Sequence, residues 1–113
     1  MNSSKIFLIL FLILFVGCAT NMPTPTAQIV GSYTSELKYK DYSCEELGLE
    51  ISSLARRESQ LVIAQEGRIQ TSKMQAFWLG YGQGDGVEAS ELAVVRGEKN
   101  AVRTAIDKKG CNK

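Results

Sequence analysis

Between residues 80 and 86 every second residue is a glycine, and this short stretch divides the helical part of the chain into two. Glycine is among the weakest helix formers, so a continuous helix is not expected to cross the stretch. On both sides, apolar residues recur at spacings of three, four and seven, which place them on one face of a helix. The sequence therefore predicts an all-α fold in which two helices form an antiparallel hairpin around a glycine turn.

The first helix is predicted to begin at Ser43. The Ser43 hydroxyl can accept a hydrogen bond from an amide of the first turn, and Glu46 can reach back to the Ser43 amide, which is the arrangement called a capping box. The apolar stripe that follows comprises Leu47, Ile51, Leu54 and Leu61. The helix can continue to Trp78, although Gly67 lowers its propensity.

The second helix is predicted to begin after Gly86, where residues 85–88 also resemble a capping box. Its apolar stripe comprises Leu92, Val95, Val102 and Ile106. Gly97 and several alanines keep this helix slim, so a neighbouring element can approach it closely. Lys108 and Lys109 suit the negative end of the helix dipole, and Gly110 suits the position that ends a helix.

The chain begins with a pattern typical of a secretory signal peptide. Residues 1–5 are polar with one positive charge at Lys5, and residues 6–16 form an unbroken apolar run. A helix that spans a bilayer needs about 20 apolar residues, so this run is short for a permanent anchor. An uncleaved membrane anchor is the alternative interpretation, and a signal peptide removed after Gly17 is favoured.

Gly17 and Cys18 end the apolar run in a way that resembles the lipobox of bacterial lipoproteins. In that class a diacylglycerol is attached to the cysteine thiol, and the cysteine becomes the new N-terminus. Phe15 stands where the class most often has Leu. Two or three acyl chains, such as palmitate, anchor a protein stably. Ala19 stands where lipoproteins retained in the inner membrane carry Asp, so the resemblance implies the outer membrane of a bacterium that has two.

Residues 19–28 contain both prolines of the chain and are predicted to form an extended or disordered tether that holds the domain off the bilayer. Residues 29–42 are rich in Ser, Thr and Tyr, and they fit either a short strand or an extended arm packed on a helix. The arm is favoured, because the sequence offers no second strong strand for it to pair with.

The chain has three cysteines. If Cys18 carries the lipid, Cys44 and Cys111 remain, at the start of the first helix and just past the end of the second. These two ends meet in an antiparallel hairpin, and the compartment of an exported protein is oxidising. The sequence therefore predicts a Cys44–Cys111 disulfide that stabilises a fold with little core. The register that this bond implies brings together two pairs of opposite charges: Arg57 with Glu98 and Glu46 with Lys109.

Several segments of the hairpin together resemble a group of short uncharacterised bacterial lipoproteins. They are residues 42–47 (Tyr-Ser-Cys-Glu-Glu-Leu), 84–86 (Gly-Asp-Gly), 91–93 (Glu-Leu-Ala) and 96–98 (Arg-Gly-Glu), followed by Cys111. The similarity extends over about residues 42–111. It implies a lipoprotein with a helical fold, and it implies no activity.

The residue inventory argues against an enzyme. The chain has no histidine, which removes Ser-His and Cys-His catalysis and most zinc sites. The glycine stretch matches neither the dinucleotide fingerprint nor a P-loop. Removal of residues 1–17 takes away Lys5 and leaves twelve basic and twelve acidic residues, without the basic cluster that nucleic-acid binding uses. No catalytic residue, cofactor, metal site or small-molecule substrate is therefore predicted.

The most suggestive segment is the aromatic cluster beside the turn, which contains Phe77, Trp78 and Tyr81. These rings are expected to cap the hairpin core or to pack against the arm, because buried aromatic side chains dominate small cores. The alternative is an exposed tip that touches a membrane or a protein partner.

These patterns divide the chain into a signal peptide at 1–17, a lipidated N-terminus with tether and arm at 18–42, and a hairpin domain at 43–113. The expected function is that of a small, non-enzymatic envelope lipoprotein that binds an envelope protein or has a structural role. The alternative is a membrane-active or exclusion-type lipoprotein that acts through its aromatic tip.

Overall fold

The structure is a computed structural model that describes residues 2–16 and 21–112. Its α-helices are α1 at Ser3–Val16, α2 at Cys44–Leu79 and α3 at Val87–Lys109. Two short 3₁₀ helices, Thr26–Gln28 and Glu36–Tyr39, lie between α1 and α2. The described part of the chain has no β-strand, and α2 packs against α3, so the predicted all-α hairpin is confirmed.

Helix α2 begins with the predicted capping box. The Ser43 hydroxyl accepts a hydrogen bond from the Glu46 amide (3.1 Å), and the Glu46 carboxylate accepts one from the Ser43 amide (2.8 Å). The helix continues without a break through Gly67 and ends at Gly80, whose φ of 83° is in the left-handed region. Glycine adopts this conformation without the steric penalty that a side chain brings, which is why the helix stops there.

Helix α3 begins differently from the prediction. Its N-cap is Gly86, and no side chain caps the first turn. The Asp85 carboxylate instead accepts hydrogen bonds from the segment that precedes the hairpin, as described below. The predicted end of the helix is confirmed, because Gly110 ends it with a φ of 71°.

The core lies between α2, α3 and the segment of residues 29–42, which we call the arm. Both predicted apolar stripes contribute to the core, through Leu47, Leu54 and Leu61 on α2 and Leu92, Val95 and Val102 on α3. Ile29 and Tyr39 of the arm are also buried in it. The arm is therefore a third component of the core. Without it, a hairpin this small would bury little apolar surface.

The arm runs along α3 from the level of Ala93 and Arg96 to the disulfide end of the hairpin. The Ser32 amide donates to the Ala93 carbonyl (2.9 Å), and Lys38 pairs with Glu98 (3.2 Å). The favoured interpretation of an arm packed on a helix is thus confirmed. The predicted close approach to Gly97 is confirmed as well, and the neighbour is the arm: a Cβ atom at Gly97 would lie 1.8 Å from the Ser32 carbonyl oxygen.

The predicted disulfide is present. Cys44 and Cys111 are bonded, with their Cα atoms 5.5 Å apart and 67 positions apart in the sequence. The bond joins the first residue of α2 to the residue that follows the last turn of α3. It closes the end of the hairpin opposite the glycine turn.

The two predicted charge pairs are wrong. Arg57 pairs with Glu91 (2.6 Å) instead of Glu98, and Lys109 donates to the carbonyl of Tyr42 instead of Glu46. The physical reason is the arm, which lies against α3. Glu98 and Lys109 of α3 bond to the arm, whereas in a hairpin without an arm they could face α2.

The segment before the arm is extended, as predicted, but it is not a free tether from Asn21 onward. Pro23 is buried, and residues 26–28 form a 3₁₀ turn against α2. Hydrogen bonds to the glycine turn hold this segment in place. The composition of the segment does not predict these bonds.

In helix α1 the apolar side chains of residues 6–11, including Phe7 and Leu8, are exposed. Among the residues that the structure describes, no helix combines the length and the apolar character needed to cross a membrane. The proposed cleavage site at Gly17 and the proposed lipidation site at Cys18 lie outside the described residues.

Candidate functional site

The turn end of the hairpin carries an exposed apolar surface. Met74, Phe77, Trp78 and Tyr81 follow one another at spacings of three, one and three, so the helical part of this set lies on one face of α2. All four side chains are more than half exposed, with Phe77 at 77% and Trp78 at 75%. We call these four residues the aromatic tip.

The aromatic tip contradicts the favoured interpretation of the sequence, in which these rings cap the core. The rings of Phe77 and Trp78 contact each other edge to face, with centroids 5.1 Å apart. Apart from this contact they face outward, and Ala76 is the buried residue of this turn. The alternative interpretation, an exposed tip, is the one that the structure supports.

The sequence around the aromatic tip has no acidic residue between positions 67 and 84, and its only charges are Arg68 and Lys73. Residues 18–28 have no charge at all. By contrast, the other end of the hairpin carries charges of both signs, on Glu45, Glu46, Asp107, Lys108 and Lys109. The free energy of desolvation and of charge repulsion is therefore lowest when the turn end is the part of the hairpin that meets an apolar or anionic surface.

The glycine turn folds back along the end of α2. Arg68 of α2 pairs with Glu88 of α3 (3.3 Å), so the last residues of α2 extend beyond the start of α3. The returning chain covers one side of this extension, where the Gln83 amide donates to the Ser72 hydroxyl (3.2 Å). The other side is not covered and carries the aromatic tip.

Asn21 fastens the segment before the arm to this turn. Its carbonyl accepts a hydrogen bond from the Gly84 amide (2.6 Å), and its side-chain amide donates to the Gly82 carbonyl (3.2 Å). Both glycines are required by space: a Cβ at Gly82 would lie 2.8 Å from the Asn21 carbonyl, and one at Gly84 would lie 2.6 Å from the Asn21 side chain. The alternating glycines thus form a docking surface for the chain that follows Cys18.

Thr24 adds a second attachment, to Asp85. The Thr24 amide and hydroxyl donate to the two Asp85 oxygens at 2.6 and 2.5 Å, and Gln65 donates to Asp85 (3.0 Å) and to the Thr24 carbonyl (2.8 Å). The Thr24 hydroxyl bond is the main cause that lowers the pKa of Asp85 below its ordinary value. Because the folded pKa is the lower one, the carboxylate stabilises the docked segment above the ordinary pKa and stops doing so as the pH falls through the folded value.

Replacing Asp85 with Asn is expected to loosen this attachment. The cost in unfolding free energy should stay below about 1 kcal/mol, because the carboxylate is exposed to water. Hydrogen exchange at the Thr24 amide should report it: protection in the wild type should fall below about pH 4, and protection in the variant should be lower and independent of pH there. Asp41→Asn, at the other end of the domain, is the control. Equal protection of Thr24 in wild type and Asp85→Asn would contradict the assigned role.

Gln65 and Ser72, which were not among the predicted core or site residues, are fully buried on α2 and hold the turn. A signal for them existed. Leu54, Leu61, Gln65, Ser72 and Ala76 follow one another at spacings of seven, four, seven and four, which is one continuous stripe. Polar residues on a buried stripe have hydrogen-bond partners in other segments.

A cluster of charged side chains further along the hairpin, between α2 and α3, is occupied by structural contacts. Arg96 donates to the carbonyls of Thr26 (2.6 Å) and Ile29 (2.5 Å) and to Glu58 (3.3 Å), and Lys99 pairs with Glu58 (2.6 Å). The hydrogen bond from Lys99 is the main cause that lowers the pKa of Glu58. Within residues 2–16 and 21–112, no group of His, Cys, Asp or Glu is arranged to hold a metal ion.

The chain was compared with known protein families, with curated protein sequences and with solved structures, and none of them matches it. The residues and geometry described above are therefore the basis for an assignment of function.

Proposed function

We propose that this chain is a small, non-enzymatic lipoprotein of the bacterial envelope, anchored through acyl chains on Cys18, that binds a protein partner or has a structural role. In a bacterium with two membranes its place is the outer membrane, facing the periplasm. The observation that carries the proposal is a disulfide-closed hairpin whose glycine turn binds Asn21, three positions after a lipobox-like cysteine in the sequence.

Two features of the structure support this assignment. A disulfide is the mark of a compartment outside the reducing cytoplasm, which agrees with export by residues 1–17. The ionisable side chains that lie in the body of the hairpin, such as Glu58 and Arg96, stabilise the packing of the arm. With no histidine in the chain, the residues present suit binding rather than catalysis.

Lipidation is tested by metabolic labelling with a palmitate analogue. The wild type is expected to carry the label, and Cys18→Ser is expected to lose it, because the acyl chains need the thiol. The Cys44→Ser/Cys111→Ser double variant is the matched control and should keep the label. Equal labelling of the wild type and Cys18→Ser would refute the anchor.

A second candidate function is favoured by the exposure of Phe77 and Trp78. In it, the protein acts on membranes by perturbing them through the aromatic tip. Dye-filled vesicles separate the two candidates: a membrane-perturbing protein releases the dye at low protein-to-lipid ratios, and an anchored binding protein associates with the vesicles and leaves the dye inside.

A further inference from the structure

The chain that follows Cys18 docks at the same end of the hairpin as the aromatic tip. We infer that the aromatic tip is seated in the interface of the membrane that holds the acyl chains of Cys18. The hairpin then stands on its turn, with the disulfide end directed away from the bilayer. This inference rests on the proposed lipidation of Cys18 and adds an orientation and a second point of membrane contact to it.

The first argument is the length of chain between lipid and domain. Asn21 is fixed to the glycine turn by hydrogen bonds to Gly82 and Gly84, and only three residue steps separate it from Cys18. Three residues span at most about 11 Å when fully extended. The bilayer surface therefore lies within about that distance of the point where Asn21 docks.

The second argument is the position of the tip relative to that point. Asn21 docks at the level of Ser72, since Gly82 lies against both residues. Trp78 is six residues further along α2, which is about 9 Å nearer the end of the helix. From the point where Asn21 docks, the chain to Cys18 and the projecting end of α2 extend by about the same distance. The acyl chains and the aromatic rings can therefore enter the same membrane interface.

The third argument is chemical. Trp and Tyr favour the boundary between water and hydrocarbon, where the ring is in an apolar layer and the polar atom stays hydrated. The charge nearest to the tip, on Lys73, is positive and suits anionic lipids, whereas that of Arg68 is paired with Glu88.

The same face of α2 is polar closer to the disulfide. Arg56 and Gln60 lie 18 and 14 residues before Met74, which places them on the helix face that carries the tip. Leu49 and Ile63 are exposed on this face as well, but Arg56 and Gln60 separate them from each other, and Gly67 and Gln70 separate Ile63 from Met74. The apolar surface is continuous only at the turn end, and this favours an upright hairpin over one that lies flat.

Trp78 is the only tryptophan of the chain, so its fluorescence reports the tip without labelling. The mature, lipidated protein is reconstituted into vesicles of phosphatidylethanolamine and phosphatidylglycerol that contain lipids brominated near the top of the acyl chain. Trp78 emission is expected to shift to shorter wavelength and to be quenched by the bromine atoms.

The matched control moves the probe along the same helix. In Trp78→Phe/Leu49→Trp the tryptophan replaces an exposed apolar residue that lies 29 positions away, about 44 Å along α2. Its emission is expected to remain that of a hydrated ring, without quenching. Circular dichroism verifies that both proteins have the same helix content.

Three outcomes overturn the inference, and they are distinct. Protein that floats with the vesicles and carries the acyl label, but whose Trp78 is neither shifted nor quenched, refutes the seated tip and leaves the lipid anchor intact. Quenching of both probes shows a hairpin that lies flat. Absence of the acyl label refutes the proposed anchor itself and the inference with it.

Discussion

Replacing Cys44 and Cys111 with serine is expected to lower the free energy of unfolding by about 4 kcal/mol. The bond joins residues 67 positions apart, so its loss frees a long loop in the unfolded chain and raises the entropy of the unfolded state. Small domains are stable by only about 5–15 kcal/mol, and the loss is therefore a large part of the total. Urea unfolding of the non-lipidated domain, followed by circular dichroism, measures it.

Two controls make this result specific. A reducing agent should destabilise the wild type by the same amount and should have no effect on the double serine variant. Cys18→Ser alone should be as stable as the wild type under oxidising conditions. A loss of less than about 1 kcal/mol in the double variant, or two free thiols at positions 44 and 111 in the denatured, non-reduced protein, would contradict the role of the disulfide.

Replacing Gly97 with Ala is expected to destabilise the protein by about 1–3 kcal/mol. Helix propensity alone would make Ala more stable than Gly by about 1 kcal/mol in the middle of a helix. At Gly97 the added Cβ would lie 1.8 Å from the Ser32 carbonyl oxygen and 2.8 Å from the Ser32 carbonyl carbon. The contact involves backbone, which cannot rotate away, so the arm must shift off α3.

Gly67→Ala is the matched control for Gly97→Ala. Gly67 is also inside a helix, but a Cβ there meets no atom within 4 Å, so this variant should be more stable than the wild type by up to about 1 kcal/mol. Hydrogen exchange at Ser32, whose amide bonds to Ala93, should increase in Gly97→Ala and stay unchanged in Gly67→Ala. Equal shifts in stability for the two variants would show that the arm does not pack as described.

The hairpin and its disulfide were predictable because their signals are local. The capping box at Ser43, the stops at Gly80 and Gly110 and the apolar stripes each depend on residues within a few positions of one another. The cysteine pairing then followed from where these elements end. The long-range charge pairs were not predictable in this way, because the arm lies against α3 and bonds to Glu98 and Lys109.

The docking of the arm and of the segment before it was not predictable from periodicity. Ile29 and Tyr39 are buried as isolated residues. They do not belong to a regular spacing of apolar residues of the kind that marks a helix or a strand. The attachment of Asn21 depends on backbone groups of Gly82 and Gly84, which leave no mark in the sequence except the glycines themselves. Alternating glycines predict a turn, which is present, but they also form the surface against which Asn21 packs.

The aromatic tip shows why burial is hard to predict for a ring near the end of a helix. Phe77 and Trp78 are apolar, as core residues are, and they lie beside the apolar stripe of α2. Because α2 extends beyond α3, no partner helix faces them. Their exposure is a consequence of the register that the disulfide fixes. An upright hairpin would place its disulfide end, which carries charges of both signs, far from the membrane, where a protein partner can reach it.

The central claim is that a lipid on Cys18 and the aromatic tip together hold the hairpin upright on its membrane. Neutron reflectometry of the lipidated protein on a supported bilayer measures the thickness of the protein layer directly. Helix α2 has 36 residues and is about 54 Å long, so an upright hairpin gives a layer of about that thickness that begins at the headgroups. A layer of about 10–20 Å, the thickness of helices that lie flat, would contradict the account.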